Sequence, residues 1–415
     1  MGDTMSLSNC EWKETEIGRM PADWEMCSIG EIADVTKLAG FEYTDHFTYT
    51  QDGEIIALRA LNVRDGVLDL TDVQRIKKEV SDTLIRSKLF KGDILFTYVG
   101  ANIGQFALVP EDNKYHLAPN ICRIRVSKRT TPYFLYSYFR TRPFKENLEN
   151  FSVGSSQPTM PMGNIRQIKV PVPSFNEQVA IASILISLDD KIDLLHRQNK
   201  TLEALAETLF RQWFVEEADE SWEEKSIGDV ADHIKDSVSP AKTSESYFYH
   251  YSIPAFDEVR EPRLEIGSSI LSNKYKVPSD CILVSKLNPR VSRIWGLYGQ
   301  IDELKSICST EFQIVKPKGK QWYSFIYCFL KSKPVTNELA GASGGTSGSH
   351  QRVDPKVIFD LSFLKPDKTI LENFNIITSN YWEKIKSNNK HIRTLTQLRD
   401  TLLPKLMSGE VRVKI

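Results

Sequence analysis

The sequence predicts an α+β protein: two similar mixed α/β domains separated by two long antiparallel coiled-coil helices, arranged as a pseudo-twofold internal repeat. Three observations carry this expectation. The stretch from Phe175 to Phe214 places apolar residues at alternating four- and three-residue steps, the spacing of a coiled-coil seam. A second stretch of the same kind runs from Glu372 to Val411. Short motifs of the first half also return in the second half in the same order, the mark of an internal duplication.

Taken in chain order, residues 1–11 are polar and expected to be loosely attached. The first domain (1–174) then opens with Trp24-Glu25 running into Ser28-Ile29-Gly30, and the second (215–367) opens with Trp222-Glu223 running into Ser226-Ile227-Gly228 at the same spacing. Lys91-Gly92-Asp93-Ile94-Leu95 is answered by Ser279-Asp280-Cys281-Ile282-Leu283, each a turn entering a buried strand. Pro132–Arg140 and Trp322–Leu330 are aromatic-rich and read as buried helices, and Gly154–Gln157 is matched by Gly348–Gln351. Glu54–Arg59, Gly92–Tyr98, Ile121–Val126, Cys281–Ser285 and Phe312–Val315 have strand length and turn-like flanks. Pro171, Pro173 and Pro366 close the compact domains just ahead of the helical stretches.

The helical stretches are assigned to 175–214 and to 368–415, the latter with a C-terminal tail. Leu188, Ile192, Leu195, Asn199 and Leu202 form the seam of the first, and Ile385, Asn389, Ile392 and Leu395 that of the second. About 40 helical residues make a rod on the order of 60 Å, so each reads as a spacer. An amide at a seam position fixes register at some cost in stability, which places Asn199 beside Asn389 near the pseudo-twofold axis. Two unrelated amphipathic helices on separate cores would leave these amides apart.

Composition narrows the function classes. The chain has 415 residues and a net charge of −1, so binding to nucleic acid has to rest on local basic surface. Six scattered cysteines form no CxxC pair, and seven histidines show no ligand spacing, so neither a disulfide framework nor a metal site is expected. No apolar run reaches membrane-spanning length and no signal pattern opens the chain, which therefore reads as cytoplasmic. Val99–Gly104 lacks the Lys-Ser/Thr ending of a phosphate loop. Asn288-Pro289-Arg290-Val291 lacks the second proline and the aromatic of an adenine-methyltransferase tetrapeptide. Asp280 with Glu303 and Lys305 is a weak echo of a metal nuclease, without a counterpart in the first half. No catalytic residue is assigned.

Binding candidates are better defined. Ser155, Ser156 and Gln157 and, at the equivalent place, Ser349, His350, Gln351 and Arg352 combine backbone freedom with hydroxyl, amide and guanidinium groups. Such groups approach phosphates closely or pair with adenine and guanine edges. Arg59, Asn62 and Arg64, Lys37, Asn102 and Gln105 in the first domain, and Asn288, Arg290 and Arg293 in the second, lie at the ends of expected strands. Each is a candidate base or phosphate contact, and each also fits a solvated strand edge.

The opening Pro21–Glu25 with Ser28–Ala33, Lys91–Leu95, the Val170–Pro173 run into Asn176-Glu177-Gln178, Leu209–Phe214 and the terminal Leu402–Glu410 together resemble the specificity subunits of type I restriction-modification systems. The resemblance covers nearly the whole chain. It implies that each domain reads one half of a split sequence in double-stranded DNA, with the helices setting the unread gap. It implies as partners two modification subunits, which use S-adenosylmethionine to methylate adenine, and two restriction subunits, which use ATP and magnesium. This chain would hold no cofactor and perform no catalysis. Trp213, Phe214, Leu406 and Met407 then either dock modification subunits or close the ends of the helical bundle. An adaptor joining two protein-binding modules through a coiled coil, without DNA, is the alternative; only a DNA reader loses DNA affinity steeply as salt rises.

Overall fold

The computed structural model describes residues 5–7, 11–64, 66–149, 159–243, 245–258, 260–299, 301–343 and 351–413. It divides into two units, one of residues 1–192 with 393–415, the other of residues 193–392. The chain is mixed α/β with two long helices, Phe175–Arg211 and Lys368–Ser408, each of which contributes to both units.

In the first unit the central sheet has the order Phe106–Leu108, Ile94–Thr97, Ile121–Val126, Ala33–Lys37, with every neighbouring pair antiparallel. Ile94–Thr97 is buried along its whole length, because both faces of the sheet are covered. Ile94 and Phe96 face a core shared with Phe134 and Phe139, and Leu95 faces a second core with Ile56 and Leu117. That is why the strand is a continuous apolar run instead of an alternating one. The second core belongs to a three-stranded sheet, in which Tyr115–Leu117 runs parallel to Ile55–Leu58 and Gln74–Ile76 antiparallel to it. The aromatic segment is helical over Pro132–Phe139: Thr131 caps it, proline sits in its first turn, and Phe134, Leu135, Tyr138 and Phe139 form its buried side. Met5–Leu7, expected to be loose, pairs antiparallel with Val411–Val413, which satisfies backbone groups at both ends of the chain.

In the second unit the corresponding sheet has the order Ile294–Leu297, Cys281–Ser285, Phe312–Pro317, Ala231–Ile234, again antiparallel throughout. Ile282 and Val284 face one core and Cys281 and Leu283 another. A five-stranded sheet lies beside it, with Tyr247–Tyr251 parallel to Ser306–Cys308. The aromatic segment of this unit is the helix Lys320–Lys331.

The Ser-Ile-Gly motif has one physical role wherever it occurs. In the first unit the Ser28 N–H and Oγ both donate to Glu31, at 2.6 and 2.7 Å, and Ile29 N–H donates to Ile168 O at 2.9 Å. In the second, Ser226 donates to Asp229 at 2.8 and 3.0 Å, and Ile227 N–H to Leu361 O at 3.0 Å. Each is a capped single turn that turns the chain from a two-stranded pair, Glu25–Ser28 with Lys169–Val172 or Glu224–Ser226 with Ser362–Leu364, into the edge of the central sheet.

The start of the first long helix is locked to the first unit by Gln178, which is fully buried. Its Oε1 accepts from Thr130 Oγ1 at 2.7 Å and Thr131 N–H at 3.2 Å, while Nε2 donates to Arg129 O and Pro173 O, both at 3.0 Å. The neighbouring Glu177, also buried, accepts from Arg412 near the C-terminus, which reaches Asp23 as well at 2.9 Å. Further along, Asp189 accepts from Arg140 at 2.7 Å and from Arg399 of the second long helix at 3.1 Å, and it also bonds Tyr133.

Candidate nucleic-acid interface

In the first unit the hairpin between Ile94–Thr97 and Phe106–Leu108 is closed by Gly104 N–H on Thr97 O at 3.0 Å and Thr97 N–H on Gln105 O at 2.8 Å. Gly100 and Gly104 take φ of +95° and +90°, a conformation any side chain would strain. Asn102 is exposed at the tip and Gln105 is half-buried at the base. Val99 bridges Thr159, and Met160 N–H donates to Tyr98 O at 2.8 Å, so the chain leaving the Gly-Ser segment is stitched to the hairpin. Lys37, at the same end of the sheet, holds its ammonium 5.5 Å from the centre of the Tyr98 ring. Lys37, Asn102 and Gln105 therefore gather at one end of one sheet.

Arg59 and Asn62 do not join them. Asn62 is fully buried: its Oδ1 accepts from Arg59 N–H at 3.0 Å, and its Nδ2 donates to Asp69 O and Asp72 O, both at 2.8 Å. Its polar atoms hold a loop together and are closed to a base. Arg59 is tied to Asp72 by an ion pair of 3.2 Å and a bond to its carbonyl at 3.0 Å. Arg64 is exposed on an adjoining arm, which rests on the edge strand through Gly66 N–H on Phe106 O at 2.9 Å.

The second unit builds the same corner from different residues. The hairpin between Cys281–Ser285 and Ile294–Leu297 carries Asn288, Arg290 and Arg293. Asn288 sits at φ +47° and gives its N–H to Gln351 O at 2.9 Å, while Leu287 bridges Arg352 and Val353 N–H meets Lys286 O at 3.0 Å. Candidates more than 50 residues apart in sequence thus meet. Two are committed within the fold: Arg293 is bidentate to Asp257 at 2.7 and 2.9 Å, and Arg352 to Glu311 at 3.1 Å for each bond. Arg290 is exposed and, among the described residues, has no ion pair. Ser155, Ser156, Gln157, Ser349 and His350 lie outside the described residues.

The long helices meet through some of the expected positions. Leu188, Ile192, Leu195 and Ile392 are buried, and Leu202, Ile385 and Leu395 are half-buried. In the second unit Asn199 Nδ2 donates to Asn389 Oδ1 at 2.6 Å, and Asn388 Nδ2 donates to Asn199 Oδ1 at 2.8 Å. Asn388, which a strict heptad reading passes over, is the fully buried one of the adjacent pair. Its signal in the sequence is the doubled asparagine at 388–389.

Phe214, Leu406 and Met407 are buried in cores, and Trp213 is half-buried. Phe214 lies 4.9 Å from Phe374 and 5.0 Å from Phe325, and Trp213 packs on the same cluster. Leu406 and Met407 are buried beside Leu185 and Tyr138.

Among the described residues no three His, Cys, Asp or Glu side chains group as metal ligands. The described cysteines are buried, and burial pushes the Cys122 and Cys308 thiols up to about 12, far from nucleophilic use. No described helix is long and apolar enough to cross a membrane.

The family described as type I restriction modification DNA specificity domain matches residues 21–204. The MjaIX specificity subunit of Methanocaldococcus jannaschii, a type I restriction enzyme component, is 27% identical over 97% of this chain and 97% of its own length. The HindI specificity subunit of Haemophilus influenzae is 22% identical over 94% of this chain and 100% of its own. Among solved structures, the S subunit of a type I restriction-modification system from M. genitalium superposes with a TM-score of 0.55 at 17% identity, covering 92% of this chain and 96% of that one; this is a likeness of fold.

Proposed function

We propose that the chain is a specificity subunit of a type I restriction-modification system, a component that carries specificity and not catalysis, and that it reads a bipartite target in double-stranded DNA. Residues 1–174 and 215–367 are the two readers. Residues 175–214 and 368–415 form an antiparallel coiled coil that sets the gap between the half-sites. The complex it organises contains two modification subunits, holding S-adenosylmethionine, and two restriction subunits, holding ATP and magnesium; it works in the cytoplasm.

One observation carries the reading. Each unit has a hairpin at the same place in the same strand order, and the chain leaving its Gly-Ser-rich segment is stitched to that hairpin. Amides, a lysine and an unpaired arginine cluster at these corners, and such groups contact phosphates and base edges. The matched capped turns support the internal duplication. The Asn199–Asn389 bond and the Asp189–Arg399 ion pair support the helix pairing.

The test is a genome-wide map of methylated adenines in cells with and without the gene, alongside DNA binding by the assembled complex at rising salt. The proposal expects a bipartite motif that vanishes on deletion and an affinity that falls steeply with salt. An unchanged methylation map together with salt-insensitive binding refutes it.

A further inference from the structure

We infer that Arg290 is the specificity-determining residue of the second unit, and that the half-site this unit reads contains a guanine recognised by its guanidinium. The inference rests on the DNA-reading role proposed above and adds which residue reads and what it reads.

The corner of the second unit carries four cations close in space: Lys286, Arg290, Arg293 and Arg352. Arg293 and Arg352 have their forks occupied by the carboxylates of Asp257 and Glu311, each in a two-bond contact. These pairs brace the hairpin and the segment beside it. Lys286 is half-buried at the hairpin base, and an ammonium is a point charge without the planar fork that discriminates a base. Among the described residues of this corner, Arg290 alone combines exposure, a fork without an ion pair and a place at the tip.

The tip is also built to present that side chain. Pro289 is buried, Asn288 holds a left-handed conformation with its N–H fixed on Gln351 O, and Val291 N–H closes the turn on Asn288 O at 3.0 Å. Below it, Ser285 Oγ donates to Leu287 O at 3.1 Å and Ser285 N–H to Arg293 O at 3.0 Å. An arginine on so constrained a turn loses little further backbone freedom on binding.

The first unit offers a contrast. Its equivalent hairpin, from Tyr98 to Gln105, contains no arginine or lysine and presents Asn102 instead, an amide whose bidentate partner is adenine. The two hairpin tips therefore present different chemistry, an arginine in the second unit and an amide in the first.

The test uses the full chain, assembled with its modification subunits, carrying Arg290→Ala or Arg290→Lys, with methylated adenines mapped genome-wide and affinity measured on a panel of duplexes varied singly through both half-sites. A bidentate arginine–guanine contact is worth about a ten- to hundredfold preference. The expected result is that both variants lose about that preference at one G·C position of one half-site, with the other half-site and the gap unchanged. Loss of preference at an A·T position, a uniform loss of affinity across all duplexes, retained preference in Arg290→Lys, or an unaltered motif each overturns the assignment. If the unmutated chain directs no bipartite motif, the functional reading itself falls, and that outcome is distinct from the others.

Discussion

Substituting Asn199 by leucine tests how the long helices are held together. The change strips two hydrogen bonds, to Asn389 at 2.6 Å and from Asn388 at 2.8 Å. Asn389 is half-buried and recovers water at little cost, but Asn388 is fully buried and keeps only a 3.4 Å bond to Gln198. Leaving such a group unsatisfied costs about 1–3 kcal/mol. Half-burying a leucine returns roughly 1 kcal/mol. The net is a loss of about 0–2 kcal/mol, or a fall of up to about 1 M in the urea midpoint for a slope near 2 kcal/mol/M. The double variant Asn199→Leu/Asn388→Leu removes both partners and should recover most of that loss, a favourable coupling of about 1 kcal/mol or more. Urea unfolding of the four proteins of the cycle measures this coupling. A double variant that is merely additive refutes the view that these amides form one buried network.

Gln178→Leu should cost about 3–5 kcal/mol, because it leaves two buried donors and two carbonyls of the first unit without partners; hydrogen exchange should show the loosening in that unit, and a wild-type exchange pattern contradicts it. Burial pushes the Asp189 carboxyl up, but bonds from Tyr133, Arg140 and Arg399 outweigh it and hold the group below its ordinary value of 3.8. A carboxyl depressed by folding adds stability that is present above its unfolded pKa and lost as pH falls through the folded one. Asp189→Asn should therefore destabilise the protein at pH 7, and its difference from wild type should shrink at pH 3; a pH-independent difference in paired urea titrations argues against it. Leu406→Ala should lower stability by about 2–5 kcal/mol, whereas a fully stable variant that only fails to bind modification subunits would restore Leu406 as a docking point.

The parts of the fold carried by local chemistry were legible in the sequence. Ser28 and Ser226 with their acidic partners announce capped turns, and the periodicity around Leu188 and Ile392 announces buried helix faces. Contacts between distant residues were not legible. Asn62 looks like a base reader because an exposed-seeming amide follows an arginine, yet its partners lie up to ten residues away in a folded loop. Glu177 and Gln178 stand out only as a motif, since the groups they bind, Arg412 and Thr130, are far off in the chain. Phe214 and Leu406 read equally as docking groups or as closing the bundle ends, because their cover comes from side chains far off in the sequence. For the candidate site, residue types alone singled out Asn102, Arg290 and Gln351, but could not show that Asp257 and Glu311 would engage the neighbouring arginines.

The central claim, two readers held apart by a helical spacer, is tested most directly by inserting four residues into the first long helix after Arg197 and mapping methylated adenines in cells that supply the modification subunits. Four helical residues add about 6 Å, nearly two base-pair steps of roughly 3.4 Å. The account predicts that both half-site sequences are kept while the gap between them changes by one or two base pairs. An active complex that methylates at the original spacing, or that keeps the spacing and reads different bases, contradicts it.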